Sequence, residues 1–212
     1  MPKPTFLNLL DEKRKAFIEI ALDEFANNDY NTASVSKIVE RAGIAKGSVY
    51  QYFADKQDLF MYLLDVSNQE MMKHIQQSPP PNPNAGFFAM LRWQMSATVQ
   101  AAIKFPIHSK LARRAYTSPL PFRDAIFEKA KKTREEYFQA MVAQAQSNGQ
   151  LDPTLDPAVV SFMVQGMMND LGPFLQSKFG KRKGDWVELP EVGEVFDQVI
   201  EALKSGLGAK SA

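Results

Sequence analysis

Apolar residues recur at three- and four-residue intervals along most of the chain, and no stretch alternates with the two-residue period of a strand. The pattern predicts an all-α protein. From Asp11 to Asn27, Phe17, Ile20, Ala21 and Phe25 mark the buried face of a first amphipathic helix. It is expected to stop at Asn27-Asn28-Asp29, residue types that tolerate the left-handed backbone common after a helix end, with Tyr30 plugging the core behind it. Ser34 stands where an N-cap hydroxyl belongs, and Val35, Ile38, Val39 and Ala42 form the apolar side of a second helix. Gly43 lies where the chain must reverse, because glycine accepts positive φ without a Cβ penalty, and Ile44 returns the chain to the core. A short helix from Lys46 to Phe53 then puts Val49 and Phe53 on one side and Gly47 and Gln51 opposite, flanked by Ser48 and Tyr50. Helix, glycine turn and short helix form a helix-turn-helix, whose second helix can enter a major groove.

Asp55 is placed to cap a further helix running to about Gln76, with Asp58 in its first turn and Leu59, Leu63, Val66 and Met71 along it. The prolines at 79, 80, 81 and 83 cannot continue that helix and read as a stiff connector. Helices follow from Phe87 to Ile103, from Ile107 to about Tyr116 and from about Pro121 to Ser147, where Asn148-Gly149 ends the last. Asp156-Pro157 has the form of an N-cap and first helical residue. The helix it opens is apolar on most sides, through Val159, Val160, Phe162, Met163, Val164, Met167, Met168 and Leu171, and is expected to be buried almost all round. Lys178, Lys181, Arg182 and Lys183 read as a solvated turn before a final helix from Pro190 to Ser205.

Composition narrows the chemistry. With 45% hydrophobic residues in 212, the chain can build a sizeable core without staples. It has no cysteine, which excludes disulfides, thiolate metal sites and cysteine nucleophiles and suits a reducing cytoplasm. The two histidines, His74 and His108, have no partners at metal-ligand or triad spacing, so neither a metal, a cofactor nor an enzymatic activity is expected. No secretory leader and no membrane-spanning run is visible. Net charge is +1, and residues 1–60 carry eight Lys or Arg against nine Asp or Glu. Affinity for nucleic acid must therefore come from a local arrangement of cations, with the carboxylates turned elsewhere.

Residues 17–64, above all the run from Ser34 to Leu59 with Lys46-Gly-Ser-Val-Tyr-Gln-Tyr-Phe followed by Asp55-Lys56, resemble the DNA-binding domain of the TetR family of bacterial transcriptional regulators. The resemblance implies a helix-turn-helix domain over 1–54 and a helical ligand-binding and dimerisation domain over 55–212. It implies a homodimer, paired through the last two helices, on a near-palindromic double-stranded operator that a small, largely apolar effector releases. Carried over by position, Lys46, Gly47, Ser48 and Gln51 would lie over base edges or the groove floor. Tyr50 and Tyr52 would donate hydroxyls to phosphates, and Ser36, Lys37 and Lys56 would clamp the backbone. Two residues depart from the family pattern: Asp29 stands where glycine is common, and Ala45 where serine or threonine opens the recognition helix. For the effector, candidate lining residues are Met90, Trp93, Tyr116, Phe122 and Tyr137, together with Phe162, Gln165, Gly166 and Asn169 on one apolar helix. The rival reading is a helical small-molecule carrier or partner-binding protein whose helix-turn-helix does not function.

Overall fold

The computed structural model describes residues 1–82, 85–180 and 189–208, and their side chains except those of residues 46 and 129–135. Of the basic run near the end of the chain, Lys181, Arg182 and Lys183 lie outside the described residues. Ten helices occur among the described residues, and no strand. They are α1 (Pro4–Leu7), α2 (Asp11–Asn27), α3 (Val35–Arg41), α4 (Lys46–Tyr52), α5 (Lys56–Gln77), α6 (Phe87–Lys104), α7 (Pro106–Thr117), α8 (Arg123–Ser147), α9 (Pro157–Phe179) and α10 (Pro190–Leu207). Every helix expected from the apolar period is present, and α1 is an addition. Proline opens α7, α9 and α10 at the first helical turn, where its missing N–H costs nothing. The Asp156 carboxylate caps α9 by accepting the Ala158 N–H at 2.8 Å.

The chain packs as two units, one formed by Met1–Lys73 with Phe105–Ile126, the other by His74–Lys104 with Phe127–Ala212. The boundary expected at residues 54 and 55 thus falls inside the first unit. Its core gathers Phe6, Phe17, Phe25, Ile38, Val49, Phe53, Leu59, Phe60 and Leu63 from α1 to α5, with Leu111 from α7, Phe122 from the turn after it and Ile126 from α8. Lys110 Nζ on α7 donates to Asn27 Oδ1 at 2.7 Å, and Arg114 pairs with Asp29. The aspartate that replaces the usual glycine before Tyr30 therefore fastens α7 to the end of α2. That end does not use the left-handed backbone expected of it: Asn28 is extended (φ −121°, ψ 150°). Its backbone N–H and its Nδ2 both donate to the Glu24 carbonyl, at 3.1 and 3.0 Å, which closes the helix without a turn of the opposite hand.

In the second unit α6 packs against α9 and α10 around Phe87, Leu91, Met95, Phe138, Val142, Val164, Leu175, Phe196 and Ile200. Arg92 Nε on α6 pairs with Asp197 on α10 at 2.5 Å, and each shifts the other further toward its charged form, Asp197 down and Arg92 up. Gly149, with φ +69°, ends α8 as its sequence predicts. The apolar helix α9 departs from expectation. Val160, Val164, Leu171 and Leu175 are buried, but Val159, Phe162, Met163 and Phe174 are exposed, Phe162 by 76%. Its second apolar face is uncovered among the described residues.

His108 on α7 sits beside the buried Ser67 hydroxyl of α5, with Nδ1 at 3.1 Å from Oγ and the Phe105 ring against its edge. Burial pulls its pKa below the usual 6.5, and the charge of Glu70 opposes that shift. A depressed pKa means that the folded unit favours the neutral ring. Its contribution to stability is complete above pH 6.5 and falls as pH drops through the lowered value. Thermal unfolding followed from pH 7.5 to pH 5 should show the protein losing stability, and His108→Gln should lose less over the same interval. Parallel curves would remove His108 as the cause.

Candidate nucleic-acid interface

The start of α3 is fixed from both sides of one residue. Ser34 Oγ accepts the Lys37 N–H at 3.3 Å, so the predicted cap is made, while Ser34 N–H donates to Glu24 Oε1 of α2 at 2.8 Å. Glu24 is only 5% exposed, an unusual place for a carboxylate unless it is hydrogen-bonded. Arg41 Nη1 pairs with Asp23 at 2.7 Å and ties the other end of α3 to the same helix. The turn that follows has Gly43 at φ +65°. Gly43 N–H donates to the Glu40 carbonyl at 3.2 Å and Ile44 N–H to that of Val39 at 3.0 Å, the paired closure of a Schellman turn. A Cβ at Gly43 would meet nothing within 4 Å, so the backbone angle alone demands glycine there.

This turn sets the direction of α4. Val49 and Phe53 point into the core, at 1% and 0% exposure, and Gly47, Tyr50 and Gln51 form the outward face. Their i, i+3, i+4 spacing puts them in one stripe. A Cβ on Gly47 would also meet nothing within 4 Å, which leaves the backbone open to close approach from outside. Ser48 is half-buried beside the stripe, and the Lys46 side chain lies outside the described residues. Ala45, extended, gives α4 no side-chain cap. Ser36 and Lys37 are exposed in the first turn of α3, and Lys37 makes no ion pair among the described residues. Tyr52 is half-buried, its ring 5.5 Å from that of Phe6 and 6.2 Å from that of Phe17, so much of it serves the core.

Lys56 stands apart from the other candidates. Its ammonium lies 4.7 Å from the centre of the Tyr30 ring and Nζ donates to the Asn31 carbonyl at 3.4 Å. Partial burial lowers its pKa, against the pull of Glu24. Asp55 caps α5 by accepting the Asp58 N–H at 2.7 Å, and Asp58 Oδ2 accepts the Ala54 N–H at 3.0 Å, a reciprocal arrangement that closes the start of the helix. With Asp23 on Arg41, Glu24 on Ser34 and Asp29 on Arg114, five carboxylates near the helix-turn-helix are engaged by donors. Two of these, Asp23 and Asp29, are paired with arginines, which offsets their charge locally.

The effector candidates are dispersed. Phe122 belongs to the core of the first unit, its ring 4.8 Å from Tyr30 and 5.6 Å from Phe60, and Tyr116 packs against the same core. The others lie in the second unit, where Met90 and Trp93 are half-buried on α6, Tyr137 is half-exposed on α8, and Phe162, Gly166 and Asn169 are exposed on α9. Gln165 Nε2 donates to Ser161 Oγ at 3.0 Å, the partner its apolar helix required of it. Among the described residues, two buried side-chain polar atoms lack any partner: Trp93 Nε1 and Gln94 Oε1. Gln94 was not singled out by its sequence, since a glutamine in an amphipathic helix carries no signal of burial. Also unforeseen were Glu24, Lys3, Thr5 and Phe6, the last three from the short segment ahead of α2. Among the described residues no cluster of His, Asp or Glu could hold a metal, and no helix is long and apolar enough to cross a membrane.

Residues 17–63 match the model of the bacterial regulatory proteins of the tetR family. The crystal structure of a TetR family transcriptional regulator from Chloroflexus aurantiacus J-10-fl superposes with a TM-score of 0.82 at 34% identity, covering 99% of this chain and 100% of that one. The fatty acid metabolism regulator protein of Bacillus subtilis is 30% identical over 71 residues, 32% of this chain and 37% of its own length. The transcriptional regulator FadR from Bacillus subtilis, in complex with stearoyl-CoA, shares the fold with a TM-score of 0.68 at 22% identity, over 91% of this chain and 98% of that one.

The buried Glu24 gives a direct check on how α3 is held. Glu24→Ala leaves the Ser34 N–H without its acceptor and should lower the free energy of unfolding by about 1–3 kcal/mol in a denaturant titration. A change within a few tenths would mean that the bond to Ser34 contributes little.

Proposed function

The chain belongs to the TetR family of bacterial transcriptional regulators, and we propose that it is a repressor that binds a near-palindromic operator as a homodimer and leaves it when an apolar effector binds. The observation that carries this reading is the outward stripe of α4, with a glycine open to close approach followed by a tyrosine and a glutamine at helical spacing. Gln51 suits adenine, whose N7 accepts and N6 donates, and Tyr50 suits a phosphate oxygen. Ser36 and Lys37 flank the groove from α3; Lys46, Ser48 and Tyr52 complete the set. Lys56, held on Tyr30 and Asn31, acts by fixing the turn before α3 and contributes its charge to phosphates from there.

The exposed apolar face of α9 supports dimerisation through that helix, since Val159, Phe162, Met163 and Phe174 share one side of it and form the kind of apolar patch that marks an interaction site. The exposed side of α10 is mostly polar, with Glu194, Asp197, Gln198 and Glu201, and suits the rim of the interface. For the effector we infer an acyl compound bound in the second unit. The Met-rich α6 and α9 suit an acyl chain, and the unpartnered Trp93 N–H and Gln94 oxygen suit a polar head group. A curated relative that regulates fatty acid metabolism and a neighbour in fold that carries stearoyl-CoA favour the same class. Such an effector acts only through its greater affinity for a conformer that no longer matches the operator's half-site spacing.

Gly47→Ala separates function from folding. Gly47 is helical with open space at its Cβ, and alanine is the better helix former, so the variant should be as stable as the parent or more so, while its added methyl obstructs approach to the groove floor. Filter binding on a promoter fragment should show weaker, still salt-dependent affinity. Unchanged affinity would remove α4 from the interface, and a parent protein without salt-dependent affinity would favour the carrier reading. Phe162→Glu should shift the protein toward monomer in sedimentation without unfolding it, and a dimer of undiminished affinity would place the interface elsewhere.

A further inference from the structure

The segment ahead of α2 lies outside the family-matched residues 17–63, yet it hydrogen-bonds the end of α4. A helix end leaves four carbonyls without intrahelical partners. In α4 the first of these, Val49, accepts the Phe53 N–H at 2.8 Å. The other three are met by two residues of the segment. Lys3 Nζ donates to the Tyr50 carbonyl at 2.7 Å, Thr5 Oγ1 donates to that of Gln51, and Lys3 N–H donates to that of Tyr52 at 2.7 Å. The Lys3 ammonium also lies at the negative end of the α4 dipole, where a cation is favoured.

The segment is itself anchored. Phe6 is fully buried, its ring 4.9 Å from Phe53, 5.5 Å from Tyr52, and 5.6 Å from both Phe17 and Tyr62. Arg14 Nη1 on α2 donates to the Leu7 carbonyl at 2.7 Å and closes the far end of α1. A seven-residue helix has little helicity of its own, and α4 has no side-chain cap at its start. Its order therefore depends on what holds its end.

We propose that Lys3 and Thr5 are positioning residues for DNA reading: they fix the last turn of α4, and with it the directions of Tyr50 and Gln51 relative to Gly47. This rests on the reading of α4 as the recognition helix, but the arm itself can be tested without DNA. In the full chain, Lys3→Met removes the Nζ donor while keeping the stem and the main-chain N–H, and Thr5→Val is isosteric. Both positions are exposed, so the double variant retains the Phe6 anchor and its core.

Amide exchange should accelerate at residues 50–53 in the double variant and stay unchanged in α2 and α5. Operator affinity should fall about tenfold, from two lost hydrogen bonds, with affinity for unrelated DNA within about twofold of the parent. The slope of log affinity against log salt should not change, and Lys3→Arg, which keeps a donor, should retain most of the operator affinity. A slope reduced by about 0.9 per subunit, with specific and unrelated DNA weakened alike, would make Lys3 a phosphate contact and overturn the proposal. Unchanged exchange at residues 50–53 would overturn it as well. If the parent shows no operator preference at all, the recognition reading fails, while the exchange result still decides whether the arm holds α4.

Discussion

Seven residues cannot hold a helix together in water, because the unfavourable nucleus is recovered only over several further turns. The first unit is arranged around that constraint. Val49 and Phe53 supply the buried side of α4, the Gly43 turn sets its direction from α3, and α3 is in turn seated by Ser34 on Glu24 and Arg41 on Asp23. At the other end, Lys3 and Thr5 donate to its carbonyls, and Phe6 fixes them against the same aromatic cluster that holds Phe53. The helix that faces outward thus has little order of its own and is held by its neighbours at both ends. For recognition this is useful, since a side chain displaced by an ångström no longer reaches a base edge.

The electrostatics follow the same logic. A segment with eight basic and nine acidic residues has no basic background to draw a polyanion. What matters is which charges remain free. Asp23, Glu24, Asp29, Asp55 and Asp58 each accept from a donor within the first unit, whereas Lys37 does not pair among the described residues. The carboxylates serve as internal fasteners, and where the donor is an arginine, at Asp23 and Asp29, the pairing also offsets their charge. Lys56 shows the reverse case, a cation drawn partly into the fold by an aromatic face and a carbonyl.

Where the code was local, the sequence was legible. Ser34, Gly43, Asp55, Gly149 and Asp156-Pro157 each mark a helix end through their own side chain or lack of one, and the structure uses each as read. The outward stripe of α4 was legible for the same reason, since periodicity fixes which residues share a face. What was not legible depended on partners far along the chain. Nothing in the neighbourhood of Glu24 announces that its carboxylate serves Ser34, ten residues on, and nothing near Asp29 announces Arg114 on α7. The extended Asn28 is a similar case: composition allowed a left-handed end, but two hydrogen bonds to the Glu24 carbonyl made it unnecessary. The packing of Phe122 was not legible either, because its partners Tyr30 and Phe60 are remote in sequence.

The apolar face of α9 bears on why a binding unit of this kind is used in pairs. A single α4 offers a short stripe, and such a set of contacts on one half-site gives little discrimination against the excess of unrelated DNA. Joining two copies adds the second half-site at the effective concentration set by their separation, so affinity rises steeply without any new base contact. The gain is lost when the spacing of the two helices no longer matches the helical repeat. Dimerisation through Val159, Phe162, Met163 and Phe174 would therefore supply both the affinity and the sensitivity of the proposed switch. Rigid seating of α4 within each unit is the condition for it: if the helix could shift to follow a changed spacing, an effector acting elsewhere would have nothing to disrupt.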